Sequence, residues 1–132
     1  MSVVLAYVPT PEGAAARQAA LDEARRRATD VVVVSVPRPA GVAPDAPFTE
    51  EQELDAVVEQ LTSAGVSARL EALPAGTEPA QGIIEVAESA AAEVVVLGLR
   101  RRSPVGKLLL GSTAQALLLG LECPVLAVKA PA

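Results

Sequence analysis

Three unbroken apolar runs rich in β-branched residues, "VVLAYV" (Val3–Val8), "VVVVSV" (Val31–Val36) and "VVVLG" (Val94–Gly98), limit what this chain can fold into. A strand with one wet face alternates apolar and polar residues. A continuous run implies cover on both faces, as in a parallel sheet. Two weaker runs, "VSARLEAL" (Val66–Leu73) and "PVLAV" (Pro124–Val128), bring the expected strand count to five.

Helical patterns separate these runs. Thr10 and Pro11 read as N-cap and N1 of an Ala-rich helix, with Glu12 early and Arg25, Arg26 and Arg27 in its last turns, where the helix dipole favours cations. "TEEQ" (Thr49–Gln52) has capping-box spacing, and Leu54, Val57, Val58 and Leu61 keep one face until Gly65 stops the helix. A third helix has Pro79 in its first turn and Ile83, Val86 and Ala87 on one stripe. A fourth, short helix starts near Ser112. Strands alternating with helices predict right-handed crossovers and an open α/β sheet covered on both faces. The 132 residues form one domain, 1–132, with "PRPAGVAPDAP" (Pro37–Pro47) as a loop within it.

Composition excludes several functions. There is no histidine and one cysteine, Cys123, so an internal disulfide, the usual zinc and copper sets and a histidine-based acyl-transfer triad are ruled out. Eleven basic against sixteen acidic residues give a net charge of −5, and Tyr7 and Phe48 are the only aromatics, which disfavours a nucleic-acid surface. No apolar run reaches the roughly 20 residues of a membrane helix. "MSVVLAYVPTPEG" has no signal-peptide pattern, so the expected location is the cytoplasm.

Against this acidic background, "GLRRRSPVGKLLLGS" (Gly98–Ser112) crowds Arg100, Arg101, Arg102 and Lys107 between glycines. It leaves the carboxyl end of the fourth strand, the edge where open α/β sheets bind ligands, and closes on Gly111, Ser112 and Thr113 at a helix start, which attracts anions. It is not a Walker A loop, because Arg101 and Leu108 replace the required glycine and hydroxyl residue. No G-x-G-x-x-G follows the first strand, and Tyr7 and Val8 occupy the place where receiver-type chemistry would need acids.

The spacing from Gly98 through position 101 to Gly111-Ser112 resembles G-x2-G-x9-G-[ST], the nucleotide-binding loop of ATP-binding universal stress proteins. The resemblance extends over the chain through its length, its element order, the opening "YVPTPEGAAA" and the closing "ECPVLAVK". It implies strand order 3-2-1-4-5. It also implies that Gly98, Gly111, Ser112 and Thr113 hold phosphates, largely through backbone N–H groups, and that the Val36 backbone meets adenine. Two positions depart from the pattern: Arg101 replaces the second glycine, and Val8 replaces the acid that reaches the ribose. Arg101 offers a guanidinium fork in exchange for close backbone approach.

The candidate nucleotide-binding set is therefore Tyr7, Val8, Val36, Gly98, Arg100, Arg101, Gly111, Ser112 and Thr113, with ATP or an AMP-type adenine nucleotide as ligand, with or without Mg²⁺. Each has a plainer reading. An arginine run can be a solvated loop, Ser112 an ordinary N-cap, and Tyr7 a packed strand end. Lys107 reads as solvated, Ser35 as core-facing, and Cys123 as a small apolar residue opening a buried strand. The first functional expectation is a non-catalytic adenine-nucleotide sensor of the stress response. The alternative is a dimeric interaction module without nucleotide. In either case, the resemblance implies a homodimer through the edge strand Pro124–Lys129. Phosphoryl transfer ranks last, because neither a base nor a pair of Mg²⁺ carboxylates stands out.

Overall fold

A computed structural model describes residues 1–8, 10–35, 50–74, 76–99 and 111–130. Along the chain run β1 (Ser2–Tyr7), α1 (Pro11–Arg27), β2 (Asp30–Ser35), α2 (Glu50–Ser63), β3 (Ala68–Ala72), α3 (Pro79–Ser89), β4 (Ala92–Leu99), α4 (Ser112–Gly120) and β5 (Val125–Lys129). The strands form one sheet in the order β3-β2-β1-β4-β5, and all four pairings are parallel. This is the expected architecture.

The three apolar runs form the central strands, and their successive side chains serve two cores. Val3, Leu5, Val31, Val33, Val94 and Val96 face one side, where Ala16, Ala20 and Ala24 of α1 and Leu54, Val57 and Leu61 of α2 cover them. Val4, Ala6, Val32, Val34, Val95 and Leu97 face the other side, against Ala80, Ile83 and Ala87 of α3 and Leu117 of α4. Burying both faces of a strand removes every side chain from water, which is why these runs contain no polar alternation. β4 begins earlier than its apolar run: Ser2 pairs with Ala92 and Val3 with Val94, leaving Glu93 as an extra residue in a bulge.

The outer strands differ. β3 and β5 are five residues each and only partly buried. The expected buried strand after Cys123 is thus a half-exposed edge. Cys123 is itself half-buried against the second core, and burial pushes its thiol pKa up, away from reactivity.

Helix ends follow local chemistry. The Thr10 side chain accepts a hydrogen bond from the Gly13 N–H at 3.1 Å, with Pro11 next in the first turn. α2 stops at Gly65, whose φ of 89° is left-handed, and the Val66 N–H reaches back to the Leu61 carbonyl. The arginine triplet is accounted for within the fold. Arg25 donates to the Ala64 carbonyl at 2.8 Å, while Arg26 and Arg27 pair with Glu23.

Candidate functional site

In parallel strands every carboxyl end lies on one edge of the sheet. Tyr7 and Ser35 end β1 and β2 in register, and β4 reaches the same edge through Gly98 and Leu99. The connections run outward in opposite senses on either side of the β1–β4 pair. A crevice therefore opens at this edge between those two strands. Both α1 and α4 begin there, because each crossover helix starts beyond the strand it follows.

The first turn of α1 is wedged into this edge. The Val8 carbonyl accepts the Thr10 N–H at 2.9 Å, and a Cβ on Gly13 would collide with that carbonyl, standing 2.9 Å from its carbon. A Cβ on Gly98 would likewise collide with the Glu12 carbonyl, 2.7 Å from its carbon. Gly98 is thus required by helix packing, a role separate from its place in the loop spacing.

Among the described residues the start of α4 is open. Gly111 is the N-cap, in extended conformation, and offers no side-chain hydrogen bond, and among the described residues nothing lies within 4 Å of where its Cβ would stand. Ser112 is the first helical residue and not the cap, so the ordinary N-cap reading does not apply to it. The Gln115 N–H bonds the Gly111 carbonyl at 3.0 Å. The N–H groups before it have no acceptor within the helix and point along its axis with the positive end of the dipole. Ser112 is exposed and Thr113 half-buried.

The described candidate residues therefore occupy one edge: Tyr7, Val8 and Gly98 at strand ends, and Gly111, Ser112 and Thr113 at a helix start. Val36, Arg100, Arg101 and Lys107 lie outside the described residues. Burial raises the Tyr7 pKa, the Glu53 charge raises it further, and Arg17 opposes them. Among the described residues, no group of three or more His, Cys, Asp or Glu could hold a metal ion.

Sequence reasoning missed Gly13 and Glu53. A glycine inside an Ala-rich helix is a faint signal, because it weakens the helix unless something needs the space. Glu53 stands four residues before Val57 on the apolar stripe of α2, a place where a carboxylate is unexpected.

Comparison with known proteins decides the family. A sequence model of the universal stress protein family matches residues 1–129. The chain belongs to the universal stress protein family. A universal stress protein from Mycolicibacterium smegmatis is 41% identical over 128 residues, 96% of each chain. The structure of a universal stress protein from Archaeoglobus fulgidus superposes with a TM-score of 0.76 at 31% identity, covering 98% of both chains. A universal stress protein structure from the same organism, in complex with dAMP, gives a TM-score of 0.72 at 26% identity, again over 98% of both chains.

Proposed function

We propose that this universal stress protein is a non-catalytic, cytoplasmic sensor that binds an adenine nucleotide, ATP or an AMP-type ligand, at the carboxyl edge of its sheet. The observation that carries this reading is the start of α4, open among the described residues, whose first N–H groups have no acceptor within the helix and suit a phosphate. The dAMP bound by the Archaeoglobus relative supports a ligand of this class. Phosphates rest on Gly111, Ser112 and Thr113, with the hydroxyl of Ser112 adding a donor. Gly98 joins them in holding phosphate, Tyr7 and Val8 border the nucleoside half, and Val36, Arg100 and Arg101 complete the proposed set. Mg²⁺, where present, arrives with a triphosphate.

The test is calorimetric titration with ATP, AMP and cyclic AMP, after nucleotide has been extracted from the protein. Gly111→Asp places a carboxylate among the phosphates in space that is open among the described residues, so binding should vanish while the fold is kept. Unchanged affinity would sink the site assignment.

A second reading, a dimeric interaction module, draws on the lateral edge of the sheet beyond β4. β5 is a half-exposed edge strand, and on α4 Leu118 is 44% and Leu119 90% exposed. Pairing of two copies through Pro124–Lys129 would satisfy the open backbone groups of that edge. Sedimentation at tens of micromolar should show a dimer, and a monomer alone would count against this pairing.

A further inference from the structure

α1 packs over β1, β4 and β5, and α2 over β2 and β3, so a groove between the two helices runs above the β1–β2 pair. Two turns along α2 from Glu53, the Arg17 Nη1 donates to the Gln60 Oε1 at 2.6 Å and ties the helices together across this groove. Glu53 lies about 10 Å nearer the carboxyl edge, at the level of Tyr7.

Glu53 is in an unusual state. Its Oε2 is shut off from solvent and, among the described residues, has no hydrogen-bond partner. The ion pairs of the described residues are Arg26 and Arg27 with Glu23, and Arg69 with Glu71, so no described cation pairs with Glu53. A buried carboxylate oxygen without a donor is costly, and a group kept in that state near the candidate edge of the sheet points to a donor that comes from outside the fold. Glu53 is also close enough to Tyr7 for its charge to raise the phenol pKa. At the end of β1 itself, Val8 has no oxygen in its side chain to offer.

We propose that Glu53 is a specificity-determining residue. Its buried carboxylate oxygen accepts a hydrogen bond from a donor on the nucleoside half of the bound nucleotide, a ribose hydroxyl or the 6-amino group of adenine. The acceptor thus comes from α2 instead of β1. This assignment rests on the nucleotide reading above.

The test is calorimetric titration of the native chain, Glu53→Gln and Glu53→Asp with ATP, inosine triphosphate, 2′-deoxy-ATP and 3′-deoxy-ATP. The native chain should discriminate against the analogue lacking the donor by roughly ten- to a hundredfold, and Glu53→Gln should weaken ATP by a similar factor and erase that preference. Rejection of inosine triphosphate identifies the amine, and rejection of a deoxy analogue identifies the hydroxyl. If the native chain binds ATP but Glu53→Gln keeps both affinity and preference, the Glu53 assignment falls and the phosphate site stands. Equal binding of all four nucleotides by the native chain also overturns it. If the native chain binds none of them, the nucleotide reading fails and this assignment fails with it.

Tyr7 is the sole tyrosine in a chain without tryptophan, so its absorbance titration checks the variants directly. In folded Glu53→Gln the phenol should ionise at lower pH than in the native chain. If that variant does not fold, Glu53→Asp, which keeps the charge but retracts it by one methylene, must lose the discrimination. Full retention there overturns the proposal.

Discussion

α1 and α4 start at the same edge of the same sheet, each after a central strand, and the two starts are built in opposite ways. At α1 every opening is filled. Thr10 caps the Gly13 N–H, Gly13 is pressed on the Val8 carbonyl, and the Glu12 backbone is pressed on Gly98. At α4 the cap is a glycine with no described residue beside its Cβ position and no side-chain bond. One helix start is closed by the fold and the other is the one proposed to meet a ligand, so an exposed helix dipole is informative where a neighbouring helix shows how the same edge could have been sealed.

Substitutions can break this contrast. The largest loss of stability is expected for Gly13→Ala, where the added carbon must push α1 off the strand end, at about 2–4 kcal/mol by denaturant unfolding. Gly98→Ala should follow at about 1–3 kcal/mol, since its clash is with the same first turn. Thr10→Ala removes the cap and should cost about 1 kcal/mol. Gly111→Asp should behave oppositely, gaining about 0.5–1 kcal/mol as a carboxylate N-cap while losing nucleotide binding. A variant that is more stable yet does not bind would separate the two roles cleanly. Equal destabilisation by Gly13→Ala and Gly111→Asp would erase the contrast.

The smallest effect should come from the amino edge. There the Asp30 carboxylate accepts the Ser2 hydroxyl at 2.6 Å, which holds its pKa below the usual value despite opposing desolvation. A lowered folded pKa stabilises the native state above the ordinary aspartate pKa, and that contribution fades as pH falls through the folded value. Stability measured from pH 6 downward should therefore decline less in Asp30→Asn than in the native chain.

Much of the fold was legible because its causes are local or periodic. Continuous valine runs specify doubly covered strands, and Thr10-Pro11 and Gly65 mark helix ends through their own backbone and side-chain chemistry. Edge strands read less well. In "VSARLEAL" and "PVLAV" the apolar residues extend beyond the hydrogen-bonded segment, and Val66 is buried ahead of β3 by the close of α2. The candidate site divides in the same way. The interval from Gly98 to Gly111 is visible as spacing, but the packing role of Gly98 depends on the Glu12 backbone, 86 positions away in sequence. Glu53 was hidden for a similar reason, since only the meeting of α1, α2 and β1 shows that its oxygen is buried.

The contrast between the two helices rests on phosphate being held, as proposed, at the start of α4 and not at the start of α1. The most direct measurement is the backbone amide NMR spectrum of the nucleotide-free protein during titration with AMP and, separately, with adenosine. The Ser112 and Thr113 amides should shift strongly with AMP and little with adenosine, while Glu12 and Gly13 stay nearly fixed. Ser112 and Thr113 amides that do not move with AMP, or that move no more than with adenosine, would contradict it.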